Sequence, residues 1–556
     1  MEKKWWKEAV GYQIYPRSFK DSNGDGIGDL NGIREKLPYL KELGVNFIWI
    51  NPVYDSPNID NGYDISNYHE ILADFGTMAD FDLLLKEAHQ LDLKIIMDLV
   101  INHTSDQHDW FRESAKGKDN PYRDYYIWKD GVDGGPPSDW QAIFGGSVWE
   151  YDETTEQYYF HAFAKEQPDL DWENEEVRKE LFSMISWWLD KGIDGFRVDA
   201  ISHIKKAAHD LPAHETKVAA RYQNIEGIDS HLNELKEVFD RYDIMTVGEA
   251  SGVSAHEAEK WAGKDGYFNM IFEFEHIGLW KQEESEEFDI KAFKEALSSW
   301  QYALDGKGWN ALYMENHDVP RSVSAFGNDS KELREISAKA LALVYMLLQG
   351  TPFIYQGQEL GMTNMPFESI EQVDALDSKY LYHELRKKGK SEEEAMAVIR
   401  ATSRDNARTP MQWDDTHYGG FSENKPWLSV NPNKSTINAE QEQTETTSVF
   451  HFYQQLIQLR KENQALIYGS FEELLPEDEQ LYVYLRLLEE DVFLIIVNLS
   501  GERAAYKHSK QLEKLGEDWQ LVLGNYFETG KLSELSTLQP YEARLYQLKI
   551  NEKNSN

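Results

Sequence analysis

Cysteine is absent from the 556 residues, which excludes a disulfide framework and removes the thiol as nucleophile or metal ligand. Long hydrophobic runs are missing as well: no apolar stretch approaches the ~20 residues needed to span a bilayer. Basic charge is scarce. Lys and Arg number 57 against 98 Asp and Glu, a formal charge of -41. Neither nucleic acid nor an anionic membrane finds the basic surface it needs, and a multiply phosphorylated substrate would require a local basic pocket to override that field. The first residues pass straight into a strand-like segment, Tyr12 to Tyr15, without an apolar signal region or a small-residue cleavage site. These absences give the expectation of a soluble cytoplasmic protein with no nucleic-acid or membrane partner, a monomer or weak homo-oligomer.

Aromatic residues are plentiful, at 13% with 17 Trp. They are ordinary core material and also supply the flat apolar faces on which sugar rings stack. Short apolar runs alternate with amphipathic stretches over most of the chain, the sequence form of repeated β/α units. Strands are expected near Tyr12–Tyr15, Phe47–Asn51, Ile95–Val100, Gly195–Val198, Ile244–Gly248, Phe268–Phe274, Ala311–Met314 and Phe353–Tyr355. Each run is almost continuously apolar, as a parallel sheet buried on both faces demands. Helical periodicity marks Ala79–Leu91 and Val177–Leu189. The fold class is therefore α/β, a (β/α)8 TIM barrel built from residues 1–103 and 172–480. A small domain inserted after the third strand takes 104–171, with a strand at Gln157–His161, and an excursion follows the last strand at about 362–427, with a helix at Ser391–Arg400. After a helix at Phe450–Glu462, alternating segments at Leu481–Tyr484, Val492–Leu499 and Trp519–Leu523 give an all-β C-terminal domain over 481–556. Asn551–Asn556 is expected to be disordered.

Three apolar runs end on an acid: Gly195-Phe196-Arg197-Val198-Asp199, Met245-Thr246-Val247-Gly248-Glu249, and Ala311-Leu312-Tyr313-Met314-Glu315-Asn316-His317-Asp318. An acid after a strand is also the commonest helix N-cap, but the C-terminal ends of barrel strands are where such enzymes do chemistry. Three such acids, accompanied by Arg197 and His317, supply a nucleophile, a general acid and a positioning group. Arg197 lies two residues before Asp199, on the same face of an extended strand, where its charge favours the ionised nucleophile. Gly248 would leave room for substrate beside Glu249, and a partly desolvated Glu there donates a proton near neutrality. His103 ends another strand.

Asp98-Leu99-Val100-Ile101-Asn102-His103, Gly195 to Asp199, Val247-Gly248-Glu249 and Asn316-His317-Asp318 resemble, in order, the four hallmark segments of the alpha-amylase superfamily, glycoside hydrolase family 13. Gln167-Pro168-Asp169-Leu170, Asp60-Asn61-Gly62-Tyr63-Asp64-Ile65 and the run Ser403 to Trp413 are similar to signatures of its oligo-1,6-glucosidase subfamily. Asp171 departs from the usual Asn before the Trp and is read as structural. The resemblance covers essentially the whole chain. It implies Asp199 as the nucleophile of a covalent glucosyl-enzyme, Glu249 as acid/base and Asp318 as transition-state stabiliser. It further implies His103, Arg197 and His317 gripping the innermost sugar, Tyr63 stacking beneath it, and Asp60 with Arg404 closing the pocket on the non-reducing end. The substrate would then be a small oligosaccharide cut from its end, with no organic cofactor. Phe144, Phe163 and Gln167 are expected in the pocket wall. A retaining outcome requires the Asp199 and Glu249 carboxyls about 5–5.5 Å apart.

Asp21-Ser22-Asn23-Gly24-Asp25-Gly26-Ile27-Gly28-Asp29 carries oxygen ligands at alternate positions and imitates the first half of an EF-hand loop. It is either a polar turn or a structural calcium site held by Asp21, Asn23, Asp25, the Ile27 carbonyl and Asp29; the subfamily resemblance implies the latter. Ala200, just past the nucleophile, should border the aglycone subsite, and His203 lies either beside it or on a helix surface. In the subfamily a Val at the position of Ala200 accompanies alpha-1,6 preference and smaller residues alpha-1,4 preference. The expectation is therefore an alpha-glucosidase acting on maltose and maltooligosaccharides. The alternatives are an oligo-1,6-glucosidase, a trehalose-6-phosphate hydrolase, or a glucosyl transferase or sucrose isomerase. A non-catalytic accessory protein lacks the full set of acids and carries a membrane anchor, the reverse of this chain.

Overall fold

The computed structural model describes residues 2–207, 221–280, 288–516, 518–527 and 530–549. The expected disorder at Asn551–Asn556 falls outside them. Eight parallel strands form the central sheet: β1 (Gly11–Ile14), β2 (Phe47–Ile50), β3 (Lys94–Val100), β4 (Gly195–Asp199), β5 (Met245–Glu249), β6 (Met270–Phe272), β7 (Ala311–Leu312) and β8 (Thr351–Tyr355). Their order is β6-β5-β4-β3-β2-β1-β8-β7. β6 and β7 meet at the remaining seam without a ladder between them among the described residues. Those two strands are shorter than the apolar runs that mark them, because each has a bonding neighbour on one side only. The others are buried on both faces, which is why their sequences are almost wholly apolar.

Register places the chemistry. Asp98 on β3 lies opposite Arg197 on β4, and Val100 opposite Asp199. On the other side Val247 of β5 lies opposite Arg197. Side chains alternate along a strand, so Arg197 and Asp199 share the inward face and Asp98 stands beside the guanidinium. This close pairing depends on Gly195, which opens β4 at φ +147°. A Cβ there would sit 1.9 Å from the Met245 carbonyl oxygen, so only glycine admits β5 at this distance.

The helices follow their sequence signals. Met78–Gln90 starts on a Thr77/Asp80 capping box. Glu175–Lys191 is capped by Asn174 and stopped by the left-handed Gly192. No helix among the described residues is long and apolar enough to cross a membrane.

Three additions decorate the barrel. Between β3 and β4, Gln157–Phe160 is the middle strand of a three-stranded antiparallel sheet with Trp128–Lys129 and Trp149–Asp152. Beyond β8, helices Leu376–Lys387 and Glu392–Thr402 enclose a small core of their own that includes Phe367, Met396 and Ile399. At the C-terminus Ser470–Leu474, Leu481–Leu488, Asp491–Asn498, Ala543–Leu548 and Trp519–Gly524 form a five-stranded antiparallel sheet. Ser470–Leu474 precedes the expected start at 481. Its Glu472 and Glu473 and its place at the sheet edge weaken the apolar alternation that would have announced it.

Candidate active site

β3, β4 and β5 deliver Asp98, Arg197, Asp199 and Glu249 to one end of the barrel. The Arg197 guanidinium, 2% exposed, binds Asp98 Oδ1 at 2.7 Å and Asp199 Oδ1 at 2.6 Å through Nη1, and Glu249 Oε2 at 2.8 Å through Nη2. Glu249 Oε2 also accepts the Ala200 N–H at 2.8 Å. That N–H turns toward it because Ala200 takes the left-handed conformation, φ +44°. Asp98 Oδ2 accepts from Tyr63 OH at 2.9 Å and Trp49 Nε1 at 3.1 Å.

The expectation that Arg197 holds Asp199 ionised is corrected by this arrangement. Burial pushes the Asp199 carboxyl well above the usual range; Arg197 opposes it, and the neighbouring charges of Glu249 and Asp98 add to it. One cation is shared among three carboxylates, so it neutralises none of them completely. Asp318 is the converse. Burial would raise it, yet His317, Arg404 and Arg408 together hold it well below the usual range. His317 Nε2 lies 3.0 Å from Asp318 Oδ2, while Arg404 Nη1 and Arg408 Nη2 reach Oδ1 at 3.1 and 2.8 Å.

These groups open onto a cavity of about 620 Å³ whose lining includes Asp60, Tyr63, His103, Asp199, Glu249 and Asp318. Tyr63 stacks on His317 with ring centroids 5.3 Å apart and planes 4° from parallel. Burial lowers the pKa of His103, leaving a neutral ring whose Nδ1 accepts from Asn102 at 3.1 Å and whose Nε2 donates to the Tyr63 carbonyl at 3.0 Å. Within the lining, Arg404 Nη2 meets Asp60 Oδ1 at 3.5 Å. Asp377 holds Arg404 Nε at 3.1 Å, and the Phe144 ring lies 4.9 Å from its guanidinium. Phe144 and Phe163 meet edge to face at 5.6 Å and form wall. His203 is buried in the lining against Phe163, its pKa pulled down by burial to about 4, so it is not a surface histidine.

Several expected residues act from behind the surface. Gln167, fully buried, is not wall but backing: its Nε2 donates to Asp60 Oδ2 at 3.1 Å. Arg197 and His317 reach the cavity through the carboxylates they hold. Gly248 gives its room to protein, since a Cβ there would press on Phe268 and Ile201 at 3.0 to 3.2 Å. Asp171 accepts the Glu173 N–H at 3.0 Å, a turn bond. Asp98 and Arg408 were present in the motifs without a role, although a charge inside an apolar strand was the available signal for Asp98. Among the described residues Gln141, Ala142, Ile143, Tyr222, Gln223, Ser251 and Phe274 also line the cavity; none of them carries a sequence signal for the site.

In the 21–29 loop, Asp21 Oδ1 accepts the N–H groups of Asn23 and Gly24 at 3.0 and 2.7 Å, and Asp29 caps the helix Leu30–Glu35 through the Gly32 N–H at 2.7 Å. Asn23 and Asp25 accept from the backbone two residues on, at 2.9 and 2.8 Å. The loop thus closes on its own hydrogen bonds. Among the described residues no three acidic or histidine side chains group so as to hold a metal ion; the expected calcium ligands also include the Asn23 amide and the Ile27 carbonyl.

The alpha-amylase catalytic domain matches residues 13–469. The probable oligo-1,6-glucosidase 3 of Bacillus subtilis strain 168 is 56% identical over 98% of this chain and 100% of its own length. A solved structure of the Bacillus licheniformis trehalose-6-phosphate hydrolase superposes with a TM-score of 0.94 at 42% identity, covering 98% of this chain and 100% of that one. The isomaltulose synthase of Klebsiella sp. LX3 gives 0.93 at 42% identity, over 99% and 100%.

Asp199 takes up a proton at a pH above the ordinary carboxylate value of about 3.9, and Asp318 well below it. Removing one negative neighbour with Asp98→Asn should lower the Asp199 pKa and move the acid limb of any Asp199-dependent rate to lower pH. Carboxyl 13C titration or the pH profile of kcat/KM reads the shift; an acid limb that moves upward contradicts the shared-cation account.

Proposed function

Since the chain belongs to the alpha-amylase family of glycoside hydrolases, we propose that it is a retaining, exo-acting alpha-glucosidase that frees glucose from the non-reducing end of maltose and short alpha-1,4-linked maltooligosaccharides. The observation that carries this reading is the bonding of Asp199 and Glu249 to one guanidinium at a cavity closed at one end by Asp60 and Arg404. A single guanidinium keeps two carboxylates close, as direct attack by one and protonation by the other require. Asp199 attacks C1 as Glu249 protonates the departing oxygen, and Glu249 then deprotonates the water that releases glucose from Asp199. Asp318, held ionised by His317, Arg404 and Arg408, faces the positive charge that develops on the sugar ring in both steps. The closed end admits a chain terminus only.

Ala200 supports the alpha-1,4 assignment. It lines the cavity beside Glu249, and its single methyl leaves the aglycone path open where a branched side chain would intrude. The name of the Bacillus subtilis relative favours the second reading, cleavage of alpha-1,6 links. Phosphorylated substrate fits less well: the described residues lining the cavity carry Asp60, Asp199, Glu249 and Asp318 against one permanent cation, Arg404.

Rates on maltose, isomaltose, sucrose and trehalose-6-phosphate decide among these. Maltose is expected to be fastest; preference for isomaltose overturns the assignment. Ala200→Val should shift the maltose-to-isomaltose ratio toward isomaltose by about tenfold, the effect of a methyl or two in a pocket. A ratio is the right readout, because Val at positive φ also strains the backbone. Asp199→Asn should lose roughly 10⁴-fold or more in kcat, and near-normal turnover would refute its role as nucleophile. Calcium at the 21–29 loop is a separate proposal, supported by its alternate oxygen ligands, which would have to turn from their backbone bonds to the ion. Chelation should then lower the melting temperature, whereas an unchanged melting temperature with no metal in the purified protein disposes of it.

A further inference from the structure

We propose that Trp427 is a positioning residue for the glucose pocket, acting on His317 and Asp318 from the side away from the cavity. The inference rests on the reading of that pocket as the glucosyl site. Trp427 is absent from the cavity lining, and two routes lead from it to the pocket. The first is a column of rings. Trp427 lies 6.5 Å from Tyr15, Tyr15 stacks on His317 at 6.0 Å with planes 22° apart, and His317 stacks on Tyr63, which lines the cavity. The second is a chain of hydrogen bonds. The Trp427 indole N–H donates to Ser18 Oγ at 3.0 Å, and Ser18 Oγ donates to the Arg408 carbonyl at 2.5 Å. Arg408 in turn donates to the His317 carbonyl and to Asp318 Oδ1, both at 2.8 Å. The routes converge on adjacent residues, so a shift of the indole moves the stacking ring and the carboxylate together.

What fixes the indole is the 21–29 loop, which the proposed reaction does not otherwise use. The segment 421–427 lies along it. Asp21 N–H donates to the Phe421 carbonyl at 3.0 Å, Ser422 Oγ to Asp21 Oδ2 at 2.6 Å, and Trp427 N–H to the Gly26 carbonyl at 3.1 Å. Gly26 has φ +90°, and a Cβ there would sit 2.3 Å from the Lys425 carbonyl oxygen. Loop and segment therefore admit a single mutual placement. Arg17, its guanidinium 4.3 Å from the Trp427 ring centroid, donates to Asn61 Oδ1 at 2.9 Å, beside Asp60. The order of the loop is thus transmitted to the grip on glucose.

Asp199 and Glu249 are held by Arg197, off both routes. The ring column ends on Tyr63, which lines the pocket, and the hydrogen-bonded route on Asp318, which faces the transition-state charge, so loosening Trp427 should weaken both sugar binding and turnover. With p-nitrophenyl alpha-D-glucoside as substrate, Trp427→Ala is expected to raise KM and to lower kcat, each by about tenfold. Trp427→Phe, which keeps a ring and loses the N–H donor, should fall between wild type and Trp427→Ala. Ser18→Ala breaks only the hydrogen-bonded route, which ends on Asp318, and should lower kcat severalfold with little change in KM; it carries the test if Trp427→Ala does not fold. Unmoved KM and kcat in these variants, whatever happens to the melting temperature, overturn the inference and leave the glucosidase reading intact. A wild-type protein inactive on every alpha-glucoside overturns both.

Discussion

The site depends on one buried cation. Arg197 carries hydrogen bonds to three carboxylates from three adjacent strands, and without it Asp98, Asp199 and Glu249 would be mutually repelling, largely buried charges at the barrel mouth. Removing one partner of such a network leaves the others buried and unpaired, which is far costlier than losing a surface ion pair. The parallel register makes the arrangement possible by setting Asp98 opposite Arg197. Gly195 makes the register possible by letting β5 lie against the start of β4. The fold and the chemistry thus share one constraint: the strands must pair closely enough for a single guanidinium to span them.

A second cationic group balances the first. Arg404 and Arg408 with His317 surround Asp318, and the same Arg404 reaches across to Asp60 and back to Asp377. Asp199 and Asp318 are chemically identical side chains in one cavity, yet their pKa values are driven in opposite directions. The difference is the ratio of cations to acids around each. Divergent pKa values in one pocket mark divided labour. Here burial and two neighbouring acids push one carboxyl up, while three surrounding basic groups hold the other down.

Much of this was legible in the sequence because strand ends announce themselves. Eight apolar runs, with acids and histidines just beyond them, located the barrel and its functional end, and Arg197 two residues before Asp199 disclosed their shared face. Depth was harder to read. Gln167 and Phe163 stand in the same inserted segment, but only Phe163 reaches the cavity, and spacing alone carries no measure of how far a loop side chain lies from a surface. Gly248 in sequence suggests room for substrate, but Phe268 and Ile201 fill that room. The wall residues Tyr222 and Gln223 follow from a long connection with no periodicity. Likewise the edge strand Ser470–Leu474 has one bonded neighbour and correspondingly little need of an apolar pattern.

The acidity of the cavity fits the charge of the reaction better than that of the substrate. Maltose and isomaltose are neutral, so four carboxylates among the described lining residues add little to ground-state attraction beyond hydrogen bonds. The glycosyl transition state is cationic at C1 and the ring oxygen, and a fixed negative field in a site of low dielectric is felt there and scarcely before. A linkage preference must then come from a feature that this field does not distinguish, because either alpha link yields the same glucosyl cation. On the proposed reading Ala200 is such a feature: it lines the cavity and donates its N–H to Glu249. Its size alters which leaving oxygen Glu249 can reach while the cationic half of the reaction stays the same.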